Sequence, residues 1–450
     1  MTKEVIVIGG GLAGSEAAWQ VAKRGVDVVL YEMRPLKQTG AHQSGYLAEL
    51  VCSNSLGSRL PDRASGVLMT ELRCLESLLL SIAEREAVPA GGALAVDREA
   101  FARGVTEQID TQPHITLIRE EVNRIPDGIV IVASGPLTSD KLANELSRIT
   151  GEEHLYFFDA LSPIVEAESI DKSVCFRASR YGRGQIAEGD YINCPMNEVE
   201  YEAFIDALLG SEKIPLRDFE VAVKAGVRAG PHGYFEGCLP VEVIAERGRE
   251  SLAYGPMRPV GLIDPRSGKR PYAVVQLRQD NLIGNLYNIV GFQTNLMYCE
   301  QDRVFSMIPG LEEVKFIRYG QMHRNTFINA PRVLLPTLQF CKRPSIIFAG
   351  QITGVEGYLG NIATGLYAGW SAARLAHGYD PIILPQTTML GSLCHYISHA
   401  DPKSFQPMKV NFGIMPPLDD DTRRNRRQRA KAYATRSSND LALFLDELGY

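Results

Sequence analysis

Within its first 32 residues the chain sets a short β-branched run, Lys3 to Ile8, directly against Gly9-Gly10-Gly11-Leu12-Ala13-Gly14. An Ala-rich segment through Lys23 then predicts a helix, Gly25 is placed to stop it, and Val26 to Tyr31 predicts a second strand closed by Glu32. A buried strand, a G-x-G-x-x-G turn, a helix and a second strand in that order point to a parallel sheet that binds a dinucleotide. In this reading Gly9 permits the tight turn, Gly11 lets a pyrophosphate approach the backbone, and Gly14 allows close helix–strand packing. The first turn of the helix, Leu12 and Ala13 included, offers unpaired N–H groups and a positive dipole end. Glu32, eighteen residues past Gly14, stands where an acid meets ribose hydroxyls. The motif alone does not separate NAD from FAD.

Two later segments favour FAD. Ile129 to Ala133, followed by Ser134-Gly135-Pro136, predicts a buried strand ending in a small-residue turn. Ser345 to Ala349 predicts another, leading into Gly350-Gln351-Ile352-Thr353-Gly354-Val355-Glu356-Gly357 and a helix over Asn361 to His377. A strand–glycine–helix unit returning this late supplies a second helix N-terminus beside a flavin ring. Gly350, Gln351, Gly354, Glu356 and Gly357 therefore join the expected cofactor residues. The fold class expected is α/β: a discontinuous Rossmann-like FAD-binding domain (1–150 and 331–380), an inserted α+β substrate domain (151–330) and a basic, helical C-terminal segment (381–450). Ala64 to Glu86 is expected to be one helix with Cys74 packed near its apolar face, and Asp97 is expected to cap the next.

At 450 residues and 45% hydrophobic composition the chain can bury more than one core. A net charge of −6 gives no bulk attraction to polyanions, so any nucleic-acid contact has to come from local basic islands. Such islands occur at Arg177-Arg180-Arg183, at Arg266-Lys269-Arg270, and at Arg423, Arg424, Arg426, Arg427, Arg429 and Lys431. Eight cysteines without a C-x-x-C fit a reducing cytosol better than a disulfide scaffold or a zinc cluster. No apolar run of about 18 residues is present, so neither a membrane span nor a signal peptide is expected. His395 and His399 stand four apart without a further ligand, and no metal is expected.

Cys52 and Cys238 lie in turn-rich contexts, where a thiol can meet a substrate. Taken singly, each reads more readily as a packed, unreactive residue. His323, in Tyr319-Gly320-Gln321-Met322-His323, is either a ligand-stacking imidazole or a solvated loop residue.

Taken together, ELVCSNSL (49–56), SRYG (179–182), DYINCPMN (190–197), FEGCLPVEVIAERG (235–248), NIVGFQTNL (288–296), RYGQMHRNTFINAP (318–331) and FAGQITGVEGY (348–358) make the chain resemble the folate- and FAD-dependent tRNA (uracil-5-)-methyltransferase family. The resemblance implies methylation at C5 of the T-loop uridine of tRNA, position 54, giving ribothymidine. It implies 5,10-methylenetetrahydrofolate as carbon donor, NADH or NADPH as reductant and FAD as methylene and electron carrier. It also implies Cys238 as the working thiol, attacking uracil C6 or trapping the flavin-linked methylene. Cys52 becomes the second thiol near the flavin, His323 a partner for the folate pterin, and Glu356 a hydrogen-bonding group for pterin or flavin. The basic run from Arg423 to Lys431 would clamp tRNA phosphates. A small-molecule flavin oxidoreductase and an RNA chaperone without chemistry remain the alternatives.

Overall fold

The computed structural model describes residues 4–215, 239–418 and 425–449. Its first layer is a parallel sheet built around β1 (Val5–Ile8), whose neighbours are β2 (Val28–Glu32) on one side and Ile129–Val132 on the other. Ile115–Arg119 extends the sheet beyond β2, and Arg343–Phe348 extends it beyond Ile129–Val132. Every residue of Ile129–Val132 is buried, as a strand covered on both faces requires. The late strand thus lies beside the early ones, and two distant stretches of chain make one sheet.

The helices covering that sheet unite the same stretches. Helix α1 (Leu12–Lys23) packs on the long helix Tyr358–Ala376 along a seam of glycines. A Cβ on Gly365 would stand 2.2 Å from the Ala13 carbonyl oxygen, and one on Gly369 would stand 2.6 Å from that of Ala17. Only bare backbone fits there. Gly9 (φ +105°) and Gly14 act likewise at the turn, where a Gly14 Cβ would fall 1.7 Å from the Gly9 carbonyl oxygen.

Between these halves stands a second, antiparallel six-stranded sheet in the order Phe176–Ala178, Tyr191–Met196, Ala273–Gln279, Leu286–Ile289, Ile164–Glu166, Phe316–Arg318. It has its own core, including Tyr201, Phe204, Phe292 and Phe305. The chain enters and leaves this unit through one two-stranded ribbon, Leu155–Ala160 paired with Met322–Phe327. Leu155 and Phe327, at the ribbon's near end, belong to the first core.

The single helix expected over Ala64 to Glu86 is two, Ala64–Cys74 and Leu78–Arg85. Glu76 turns left-handed (φ +56°), and Ser77 caps the second helix by accepting the Leu80 N–H. The buried Glu16 carboxylate receives the Ser77 hydroxyl and the Leu78 and Leu79 amides, holding the break in place. Cys74 closes the first helix and is exposed, not packed as expected. Asp97 caps Arg98–Thr111 through the Ala100 amide. The last helix, Arg426–Glu447, buries Ala430, Tyr433, Ser437 and Leu441 on one face, which leaves Arg426, Arg427 and Arg429 outside. Among the described residues no helix is long and apolar enough to cross a membrane.

Ser77→Ala removes both the cap and a donor to a buried carboxylate. It should lower unfolding stability by about 1–2 kcal/mol, read as a lower midpoint in urea denaturation with an unchanged slope.

Candidate active site

Three cavities meet end to end along the carboxyl edge of the parallel sheet. The outermost, about 50 Å³, lies over Gly9, Glu32, Met33, Ser134 and Ser139. The middle one, about 110 Å³, runs past Gly9, Gly11, Leu12, Ala13 and Arg34 to Gly350 and Gln351. The innermost, about 270 Å³, is walled by Cys52, Asp159, His323, Asn325, Gln351, Glu356, Gly357 and Lys409. Pro136, Gln351, Tyr358 and Asn361 line both of the inner two, so the path is continuous.

Two helices begin at this path, and neither has a side-chain cap: α1 after Gly11 and Tyr358–Ala376 after Gly357. Their free amides and dipole ends suit anionic or electron-rich ligand atoms. A Cβ on Gly11 would meet nothing within 4 Å, so the groove is open at the point where a pyrophosphate would approach. Asn361 lines both inner cavities and its buried Oδ1 has no hydrogen-bond partner among the described residues. These two observations fit a bound dinucleotide. Gly10, Gly14 and Gly354 shape the path from behind: their Cβ positions are filled by Leu47, the Gly9 carbonyl and the Phe405 ring.

Glu32 lines the outer and middle cavities. Its carboxylate accepts the Gly10 amide at 2.8 Å, and the Arg34 amide and Nε, each at 2.9 Å. Burial alone pushes the carboxyl up, but the Arg34 guanidinium and these donors outweigh it and hold it below the usual range. Glu32 is therefore a fixed anion. His42, beside it in the middle cavity, is lowered to about 4 by burial and by Arg34, and so stays neutral.

Cys52 sits on a loop clamped from both domains. Its amide and that of Ser53 donate to the Tyr358 hydroxyl at 2.7 and 3.0 Å. Arg98, paired with Asp280 of the insert, donates to the Leu50 and Cys52 carbonyls. Arg278 holds Asn54 and Ser53, and Arg318 holds the Val51 carbonyl. Three buried or half-buried guanidinium groups thus hold the loop that carries the thiol, and the Cys52 Sγ itself lies 3.9 Å from the Ala160 carbonyl oxygen.

His323 lies opposite Asp159 across the two-stranded ribbon. Gln321 orients its ring. The Gln321 Nε2 donates to the Gly40 carbonyl at 3.1 Å and lies 3.2 Å from His323 Nε2, while its Oε1 receives the Tyr298 hydroxyl at 3.1 Å. A carbonyl can only accept, so the amide orientation is fixed and His323 Nε2 is an acceptor.

Glu356 enters the innermost cavity from a short strand whose partner residue is Lys409. Burial first, and Asp159 second, push its carboxyl up to about 8, although Gln351 Nε2 donates to it at 2.9 Å. At neutral pH it holds a proton.

Cys238, Arg423 and Arg424 lie outside the described residues. Arg426, Arg427, Arg429 and Lys431 are exposed on the last helix and line none of these cavities. His395 and His399 stack ring on ring at 4.1 Å, and among the described residues no His, Cys, Asp or Glu cluster could hold a metal. Asp159, Asn325, Gln321 and Lys409 escaped sequence reasoning because strand pairing, not spacing, brings them to the cavity. Asn361 carried a signal, as a polar residue in the first turn of a helix that follows a glycine loop.

The fold and this groove define a two-domain dinucleotide-binding protein of the GidA type. The family model described as glucose inhibited division protein A matches residues 4–380. The fold is similar to that of Aquifex aeolicus GidA, with a TM-score of 0.70 at 16% identity over 98% of this chain and 73% of that one. A curated relative from Desulforudis audaxviator is 56% identical over 450 residues, all of both chains, and one from Enterococcus faecalis is 52% identical over 448 residues, again all of both. Each is named methylenetetrahydrofolate–tRNA-(uracil-5-)-methyltransferase TrmFO. The chain belongs to the TrmFO family.

Glu356 also makes a stability prediction. Its folded pKa of about 8 lies above the ordinary 4.5, so the folded chain keeps a proton that the unfolded chain releases. Stability should therefore be fully present below about pH 4.5 and fall as pH rises to about 8, with Glu71, raised to about 6, adding to the lower part. Thermal melts across this range should show that decline, and Glu356→Gln should flatten it above about pH 6.

Proposed function

We propose that this protein methylates C5 of a uridine in tRNA, the T-loop uridine at position 54, using 5,10-methylenetetrahydrofolate with NADH or NADPH as reductant. The observation that carries the reading is the innermost cavity. In a chain matched end to end by relatives bearing that activity in their names, a thiol, an imidazole and a protonated carboxyl converge beside a dinucleotide groove. Bound FAD would supply the hydride that turns a carbon at the formaldehyde level into a methyl group.

The chain's own residues then divide the work. The amides at the start of α1, with Gly11 clear before them, hold the pyrophosphate, and Glu32 receives the ribose. Gly350, Gln351 and Gly357 lead into the second helix, whose amides face the flavin side of the path. His323, with Gln321 beside its Nε2, offers a flat face to the folate pterin. Glu356 carries a proton that it can lend to a pterin or flavin nitrogen, and Asp159 keeps that proton in place. Cys52 stands in the cavity wall on a loop held by three guanidinium groups. The second thiol, Cys238, attacks the pyrimidine or traps the incoming carbon. In support, Val241, three residues beyond it, donates its amide to the Gln293 carbonyl, and Gln293 lines the same cavity. The exposed arginines of the last helix, with Arg423 and Arg424 before them, contact tRNA phosphates. The reading places the protein in the cytoplasm, with its RNA and folate substrates.

The decisive assay combines unmodified tRNA transcript, NADPH and folate labelled at the transferred carbon. Label at C5 of the T-loop uridine is the expected result. NADPH oxidation without labelled tRNA would instead indicate a small-molecule oxidoreductase. Cys238→Ala should keep FAD and lose methyl transfer. Gly11→Val should yield folded but colourless protein, because a branched side chain would occupy the pyrophosphate's approach, as a flavin absorbance spectrum would show.

A further inference from the structure

Basic residues that are far apart in sequence are linked by neighbouring contacts that start from the wall of the innermost cavity. The cavity wall Ser55–Gly57 runs on into Arg59, whose amide donates to the Gly92 carbonyl. Next to Gly92, a Cβ on Gly91 would lie 3.1 Å from the Arg183 carbonyl oxygen. From the other side Arg427 of the last helix reaches Asp62 at 4.0 Å. This network thus draws on both domains and the C-terminal helix.

At its outer edge Tyr181 stands 63% exposed with a left-handed backbone (φ +59°), a conformation that is costly for a bulky residue. The turn is held firmly. The Tyr181 amide donates to the Gly261 carbonyl, and Arg180 donates to Gln276 and to the Arg258 and Val260 carbonyls. Arg180 therefore serves the turn itself and is not a free cation. The ring rests on bare backbone, since a Cβ on Gly261 would come within 3.1 Å of three ring atoms. The Arg183 guanidinium lies 5.6 Å from the ring centroid.

Glu188 is exposed on the same loop, and the buried Asp190 is committed to the amides of Gln185, Ile186 and Gly91. Arg183 and Arg258 are exposed, and neither forms a salt bridge among the described residues. Arg59 keeps Nε and Nη2 buried without an acceptor among the described residues.

We propose that Tyr181 is a base-stacking platform of an RNA-docking surface, with Arg183 beside the ring meeting the phosphate of the stacked nucleotide. The occupant is a single-stranded RNA segment: an exposed aromatic face beside an exposed guanidinium that forms no salt bridge among the described residues suits a stacked base and its phosphate. The proposal rests on the tRNA reading above, and places the substrate's entry on the Ser55–Gly57 side of the cavity.

The test uses FAD-loaded protein and fluorescence anisotropy with unmodified tRNA transcript. Tyr181→Asn removes the ring but tolerates the left-handed turn, and should weaken binding by about 5- to 100-fold. Tyr181→Phe should bind like the unaltered protein. Arg183→Ala should reduce the salt dependence of binding by about one unit of slope. All three should keep the flavin spectrum. Tyr181→Asn binding tRNA within twofold of the unaltered protein, while that protein binds and methylates normally, overturns the platform and leaves the proposed function standing. Failure of the unaltered protein to bind tRNA at all overturns both.

Discussion

Two helices separated by more than three hundred residues touch backbone to backbone, and the rest of the molecule depends on that contact. Gly365 and Gly369 have no side chains where Ala13 and Ala17 press closest. Any larger residue would lift Tyr358–Ala376 away from α1. The groove would then widen, Tyr358 would release the Cys52 loop, and Asn361 would leave the path it lines. Dispersion over so close an approach, with little side-chain entropy to lose, favours a rigid seam. Everything the site offers is placed relative to it.

On that frame the polar groups are graded by environment. Glu32 is buried yet anionic because Arg34 and three N–H donors face it, whereas Glu356 is buried beside another carboxylate and keeps its proton. Two glutamates in one continuous path so acquire opposite charge states, one suited to hold hydroxyls and one to share a proton. The three arginines under the Cys52 loop add a third condition, positive and away from bulk solvent, and two of them reach across from the insert. The insert thus shapes the chemistry as well as presenting substrate.

The sequence spoke clearly wherever function depends on local backbone. Gly9, Gly11 and Gly14 could be read at once, since each answers a steric demand within one turn, and the late glycine loop before Tyr358 could be read in the same way. Partners brought in by sheet pairing could not. Asp159 faces His323 only because Leu155–Ala160 pairs with Met322–Phe327, and Lys409 reaches Glu356 through a two-residue bridge. The helix break at Glu76 was hidden for a related reason. Apolar spacing continues through it, and the acid that fixes it, Glu16, lies on another helix. Cys74 was misjudged with it, because a helix ending at that residue turns its side chain outward.

The order of the sheet also has a consequence for biosynthesis. The strand Arg343–Phe348 is made more than two hundred residues after the Ile129–Val132 edge it covers, and the second helix follows it. A nascent chain that has emerged only through the insert carries the whole glycine fingerprint yet only half of a ligand cradle. Flavin capture is therefore reserved for nearly finished polypeptides, and prematurely terminated products leave the ribosome without colour.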